Sequence, residues 1–205
     1  MTTKEFVSLE KNLLTELPGF AIKGPLMFIP PAKRLLRGIS FEGSSFDKTS
    51  FYVAMFVMPL CVPTSYLYFN FGNRVRRKEG ADRWNMGMPN VVTELGSALK
   101  LQAMPFLSRV ESLLDFVDEA RSSSGNHTPR AIAFALARAG QISQAVGVLD
   151  QLFSQLDLNV AWQREIGDQS KALRAKLVTS PIEAQQQLEA WEIESVRNLG
   201  LEGFR

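Results

Sequence analysis

Hydrophobic residues recur with two different periods along the chain, and the change between them falls near Trp84. Before Trp84, short apolar runs alternate with polar residues or lie between Gly and Pro pairs, a pattern typical of β-strands. After Trp84, apolar residues recur every three to four positions, which indicates helices. We therefore predict an α+β protein with a sheet region in residues 1–83 and a helical region in residues 84–205.

The first element is predicted to be an amphipathic helix that packs on the sheet. Thr2 and Glu5 have the spacing of a capping box, and Pro18-Gly19 supplies the stop. Between them, apolar residues lie at helical intervals, at Phe6, Leu9, Leu13 and Leu17. The fold class is therefore an N-terminal helix on a mostly antiparallel sheet, followed by an all-helical C-terminal region.

At least three strands are predicted between residues 35 and 76. Residues 35–42 alternate in the manner of a half-exposed strand, whereas residues 51–58 are apolar on both faces and indicate a central strand. Residues 66–71 are predicted to form the next strand, ended or bent at Gly72-Asn73. Residues 49–73 carry no charge, but prolines interrupt them, so two strands joined by a turn explain the stretch better than a membrane span.

Starts of helices follow after Trp84, and all except the one around Trp162 are marked by Pro, Ser, Thr or Asn. We predict starts at Pro89 or Asn90, Pro105, Thr128-Pro129, Ser143, Trp162 and Ser180-Pro181, with stops at Gly140 and Gly200. Phe106, Val110, Leu113, Leu114 and Val117 are predicted to share one stripe of the Pro105 helix. Residues 122–126 are predicted to form a polar loop.

Two resemblances follow from these segments. Residues 13–84, with Phe-Glu-Gly-Ser-Ser, Phe-Tyr-Val-Ala-Met-Phe-Val-Met-Pro and Tyr-Phe-Asn-Phe-Gly-Asn-Arg, resemble uncharacterised bacterial α+β proteins distantly similar to toxin-immunity domains. That resemblance implies a fold type and a bacterial source, but no catalytic residue. Leu136-Ala-Arg-Ala-Gly140, with Ala145 and Leu149, is similar to the turn of a tetratricopeptide helix pair. One such unit predicts an αα-hairpin.

Charge and cysteine content restrict the function further. The net charge is +2, too small by itself to indicate nucleic acid or acidic membranes as a partner. Residues 1–83 carry 12 basic and 7 acidic side chains, whereas residues 84–205 carry 11 and 14. Cys61 is the only cysteine, which excludes an internal disulfide. The first residues do not have the pattern of a signal peptide, so we expect a cytoplasmic protein.

Candidate catalytic and metal-binding residues are few. His127 is the only histidine and lies beside serines in a polar stretch, which alone does not make a catalytic relay. One histidine and one cysteine cannot form a zinc site from nitrogen and sulfur ligands. Glu111, Asp115 and Asp118 share a helix face and could hold a hard cation, although such a row is more often a solvated face. We predict no catalytic residue, no metal and no cofactor.

A binding face is predicted on the strand that follows Pro63. With a period of two, Tyr66 and Tyr68 share a face with Arg74 and Arg76, while Leu67, Phe69, Phe71 and Val75 face the core. Aromatic rings beside guanidinium groups suit binding to carboxylates or phosphates. The alternative is that the tyrosines pack under a helix and that Gly72-Asn73 is a turn.

These features favour a non-enzymatic protein-interaction protein, such as an inhibitor or an immunity-type partner, with a protein as its ligand and no membrane. A nucleic-acid-binding module that uses the Tyr/Arg face is the first alternative, and the weak net charge counts against it. An enzyme of unrecognised type is the second alternative.

Overall fold

The computed structural model describes residues 1–123 and 127–205 and confirms the predicted fold class. Its strands are β1 (Ala21–Ile22), β2 (Leu26–Phe28), β3 (Leu35–Gly43), β4 (Ser50–Pro59), β5 (Gly72–Arg74) and β6 (Arg83–Asn85). Its α-helices are α1 (Thr3–Leu14), α2 (Val91–Ala98), α3 (Met104–Arg109), α4 (Leu113–Ala120), α5 (Thr128–Arg138), α6 (Ile142–Gln155), α7 (Ala161–Thr179) and α8 (Pro181–Asn198). Residues 99–103 form a π-helical turn, and residues 202–204 a 3₁₀ turn.

The sheet is antiparallel throughout its described pairs, with strand order β1-β2-β3-β4-β5 and with β6 also pairing with β4. Strands β3 and β4 pair along their whole length, from Leu35 opposite Pro59 to Gly43 opposite Phe51. The other edge of β4 is shared, because β5 pairs with residues 54–56 and β6 with residues 50–52. Strand β4 is therefore central, as its sequence predicts.

Both faces of β4 are covered in its C-terminal half, where residues 55–59 are all buried. Phe51, Val53, Met55 and Val57 belong to the large core that α1 and most of the other helices share. On the opposite face, Phe56 and Met58 pack in a smaller core with Val196 and Leu201, which lie in α8 and just after it. No helix within residues 1–123 and 127–205 has the length and apolar character needed to cross a membrane.

Helix α1 follows its sequence pattern closely. The Thr2 hydroxyl accepts a hydrogen bond from the Glu5 backbone N–H, and the Glu5 carboxylate accepts one from the Thr2 backbone N–H, so the capping box is confirmed. The four predicted core residues, Phe6, Leu9, Leu13 and Leu17, are buried. One acidic residue of this helix, Glu10, is also fully buried.

The single helix predicted from Pro105 to Val117 is wrong in its boundaries. The helical path begins at Val91 and runs through the π-helical turn and Pro105 to Arg109. A new helix then starts at Leu113, because the Ser112 side chain and the Asp115 carboxylate form a capping box there. The helix predicted to start at Ser143 starts one residue earlier, at Ile142. Helix α8 starts at Pro181, as predicted, although the Ser180 side chain makes no capping hydrogen bond within the described part of the chain.

The predicted αα-hairpin is formed by α5 and α6. Gly140, with a φ of 83°, supplies the left-handed residue that ends α5. Ala133, Ala137 and Ala145 are fully buried, which lets the two helices approach closely. The polar loop predicted just before α5 extends over Ser124, Gly125 and Asn126, which lie outside the described residues.

The sheet region and the helical region share one core. Trp84 is buried within β6, so the boundary predicted at residues 83 and 84 falls inside a strand of the sheet. The Phe71 ring meets the Phe116 ring of α4 edge-on, with 4.8 Å between the ring centroids. Apolar contacts therefore continue without interruption from the strands to the helices.

Candidate functional site

The strand predicted at residues 66–71 is not formed, and residues 60–71 make an irregular connecting segment between β4 and β5. The segment turns at Thr64, whose hydroxyl bonds to both the backbone N–H and the carbonyl of Tyr66. Side chains of α8 take up its backbone groups instead of a neighbouring strand. The Ser195 hydroxyl bonds to the Thr64 N–H and the Val62 carbonyl, and the Asn198 amide donates to the Thr64 carbonyl.

The connecting segment forms one wall of a cleft of about 390 Å³. The first turn of α5 and the N-terminal half of α7 form the other walls. The aromatic, charged and amide side chains that line it include Tyr66, Tyr68, His127, Arg130, Trp162, Glu165 and Gln169. A cleft of this size, with mixed aromatic and polar walls, is typical of a site for a small ligand or an inserted side chain.

Arg130 is the cation of the cleft and lies mostly buried in the first turn of α5. Its Nη2 donates to the Gln169 side-chain oxygen, and its guanidinium lies 5.4 Å from the centroid of the Phe134 ring. Its Nε is buried and makes no hydrogen bond to any residue within 1–123 or 127–205. Among the described residues, no carboxylate forms an ion pair with it. Burial lowers the pKa of Arg130, which still leaves a guanidinium charged at neutral pH.

Tyr68 contributes a second unsatisfied donor to the same cleft. Its ring packs against both apolar cores, and its hydroxyl is buried without a hydrogen-bond partner among the described residues. Desolvation raises the pKa of Tyr68, while the nearby positive charge of Arg130 acts in the opposite direction. The hydroxyl therefore stays protonated and can donate a hydrogen bond.

Aromatic side chains form the rim. The His127 and Trp162 rings lie 5.0 Å apart between centroids and are tilted by 42°. Trp162 is 40% exposed and Tyr66 is 67% exposed, which is unusual for such large apolar groups. Partial burial, and then the charge of Arg130, lower the pKa of His127, so its imidazole is neutral at pH 7.

The four residues predicted to form one binding face lie in two places. Tyr66 and Tyr68 line the cleft, but Arg74 and Arg76 do not. Arg74 lies over the Tyr52 ring and pairs with Glu42 and Asp82.

Arg76 is exposed, and its backbone N–H and carbonyl bond to the Gln102 side chain. The predicted continuous Tyr/Arg face is therefore wrong, because alternation requires an extended strand through residues 66–76 and the pairing with β4 begins only near Phe71.

Other candidate groups have structural roles. The Ser112 side chain, and then the backbone N–H groups of Ser112 and Glu111 that donate to the Asp115 carboxylate, lower the pKa of Asp115. Asp118 pairs with Arg121. Burial raises the pKa of the Cys61 thiol to about 12, so it is not a nucleophile at neutral pH. The described part of the chain holds no group of three or more His, Cys, Asp and Glu side chains placed to bind a metal.

The sequence pattern missed Arg130, Trp162 and Gln169. One signal was available for Arg130, because a basic side chain in the first turn opposes the helix dipole. An arginine at that position needs a reason other than helix stability. The proximity of α5 to α7 at this point depends on the packing of the αα-hairpin, which no local pattern shows.

Comparisons of the chain with protein-family models, with curated proteins and with solved structures find no significant match.

Proposed function

We propose that this chain is a non-enzymatic binding protein and that the cleft between the connecting segment and helices α5 and α7 receives a group from a protein partner. The observation that carries the proposal is a mostly buried arginine whose Nε has no hydrogen-bond partner and whose guanidinium forms no ion pair among the described residues, although Glu165 is near enough to interact with it electrostatically. A buried polar group without a hydrogen-bond partner is costly, and an anionic group bound in the cleft would supply one.

The exposed rim supports a macromolecular ligand. Tyr66 and Trp162 stand at the mouth of the cleft, and Tyr, Trp and Arg are the residues enriched where interfaces carry their binding energy. We retain the inhibitor or immunity-type role that the sequence favours, in a cytoplasmic protein. The proposed binding site is the cleft and not the strand face expected from the sequence.

Affinity capture with paired variants tests the proposal. Tyr66→Ala with Trp162→Ala removes the rim aromatics, and both side chains are exposed, so folding should be little affected. Phe46→Ala is the matched control, since Phe46 is 95% exposed and does not line the cleft. We expect one protein from the native host to be retained by the wild type and by the control but not by the double variant. Equal capture by all three would contradict a role for the cleft.

A further inference from the structure

We propose that the group recognised in the cleft is a single carboxylate carried next to an aromatic or other apolar group, with Arg130 and Tyr68 as its hydrogen-bond donors. This inference rests on the proposed function and specifies the chemistry of the same site. Its starting point is that two donors, the Arg130 Nε–H and the Tyr68 hydroxyl, are buried at one cleft without a partner among the described residues.

The orientation of Arg130 suits a planar anion. Gln169 holds one arm of the guanidinium, at Nη2, so the arginine is fixed although no described acid pairs with it. The Nε–H has no hydrogen-bond partner among the described residues. A hydrogen bond from this charged N–H to a carboxylate oxygen is charge-assisted, and such bonds are shorter and stronger than neutral hydrogen bonds.

The Tyr68 hydroxyl is placed to assist Arg130. The two groups are close enough to interact electrostatically, and the tyrosine remains a neutral donor at physiological pH. The first turn of α5 adds the positive end of its helix dipole on the same side of the cleft. All three features favour an anion at the inner end of the site.

The charge of the walls favours one negative charge over two. Glu165 lines the same cleft and accepts a hydrogen bond from Gln169, while the imidazole of His127 is neutral at pH 7. Glu165 repels any anion in the cleft, and it repels a phosphate dianion about twice as strongly as a carboxylate monoanion. The chemistry therefore points to a carboxylate.

The rim indicates what the carboxylate is attached to. The Trp162 ring and the Tyr66 ring leave large apolar surfaces in solvent at the mouth of the cleft. An apolar or aromatic group one to two residues from the carboxylate would cover these surfaces. An acidic side chain of a partner protein beside an aromatic residue fits this description, and so does a free aromatic acid.

Two pairs of probes test the inference and separate these sources. The first pair is N-acetyl-phenylalanine and its amide, and the second is the capped dipeptides acetyl-Phe-Glu-amide and acetyl-Phe-Gln-amide. Each pair differs only in the carboxylate. Binding is followed by NMR through the indole N–H signals, where Trp162 reports on the cleft while Trp84, which is buried, serves as the internal control.

The expected result is that both acids shift the Trp162 signal and that both amides bind more weakly than the acids, by a factor of about ten at least. Tyr68→Phe and Arg130→Lys should each weaken the acids by about tenfold and leave the amides unchanged, because they remove a hydroxyl and a planar fork respectively. Arg174→Gln, at an exposed ion pair on α7, should change neither. Unfolding curves establish that each variant is folded.

The remaining outcomes are distinguishable. If acids and amides bind equally, the carboxylate inference is overturned while the cleft remains a binding site. If the free acid binds but the capped dipeptide does not, the carboxylate inference stands and the protein partner of the proposed function is overturned. If no probe shifts the Trp162 signal up to about 10 mM, or if Tyr68→Phe and Arg130→Lys leave the acids unaffected, the inference is overturned.

Discussion

The Arg138 guanidinium lies 3.2 Å from the Glu192 carboxylate, and the ion pair joins α5 to α8 where Glu192 has no solvent exposure. The same carboxylate accepts a hydrogen bond from the backbone N–H of Arg34, a residue with a φ of 60°. Arg34 lies just before β3, so a single acidic side chain connects the sheet, the αα-hairpin and the last helix.

Replacing one partner of this pair should be strongly destabilising. Arg138→Met leaves the buried Glu192 charge uncompensated, and we expect a loss of about 3–5 kcal/mol in the free energy of unfolding. Urea unfolding measures it. Adding Glu192→Gln to Arg138→Met should recover part of the loss, because the unpaired charge is gone. A loss below about 1 kcal/mol for Arg138→Met would contradict a buried pair.

The buried carboxyl of Glu10 predicts a pH dependence of stability. Desolvation raises the pKa of Glu10 to about 8, so the folded protein holds a proton that the unfolded chain releases near its ordinary value of 4.5. Its contribution is fully present below pH 4.5 and is lost as the pH rises through about 8. At about 1.4 kcal/mol per pKa unit, we expect a decrease of roughly 5 kcal/mol in unfolding free energy over this range.

Glu10→Gln should remove that decrease and flatten the stability profile between pH 5 and 8. Glu5 on the same helix is the control, since hydrogen bonds from Thr2 lower its pKa. Its contribution is present above its unfolded pKa and is lost as the pH falls, so Glu5→Gln should change only the acidic side of the profile. An unchanged slope in Glu10→Gln would show that Glu10 is not the titrating group.

A substitution at Phe56 tests the smaller core, which lies between β4 and α8. Its side chain is fully buried on β4, and its ring meets Phe69 edge-on with 5.1 Å between centroids. Phe56→Ala should cost about 3–5 kcal/mol in denaturant unfolding, as truncations of buried phenylalanine do. Phe46→Ala, at an exposed site, should stay within about 0.5 kcal/mol. A loss below about 1 kcal/mol for Phe56→Ala would mean that this face of the sheet is not a packed core.

Arg74 and Arg76 distinguish the cleft from the strand face that the sequence suggests. Replacing both with Ala should leave stability within about 1 kcal/mol, because the ion pairs of Arg74 are exposed. Capture of the partner should also be unchanged, since neither residue lines the cleft. If this double variant captured the partner more weakly than the wild type in side-by-side experiments, Arg74 and Arg76 would belong to the binding site.

The sequence was sufficient for the elements with strong local signals. The capping box at Thr2, the apolar faces of β4 and the left-handed Gly140 each determine their own conformation through adjacent residues. The break between α3 and α4 was missed because the apolar stripe continues across Val110, while the Ser112 cap that starts the new helix was not recognised.

The site depended on contacts that are distant in sequence. Tyr66 and Tyr68 alternate as in a strand, yet Ser195 and Asn198, about 130 residues away, bond to the backbone that a strand neighbour would otherwise occupy. Arg130 and Gln169 meet because α5 and α7 pack together. Periodicity drew attention to Tyr66 and Tyr68, which line the cleft, but could not place them near a guanidinium from another helix.

The cover that α8 and residues 199–204 provide over β2 and β4 has a consequence for the order of folding during synthesis. Phe28 and Phe56 emerge from the ribosome long before Val196, Leu201 and Phe204, with which their face of the sheet packs. Until then that face is an exposed apolar surface beside unpaired strand edges, the kind of intermediate that aggregates or requires a chaperone. A nascent chain stalled before α8 should therefore be sensitive to proteases and prone to aggregation, although the residues of all six strands have already been synthesised.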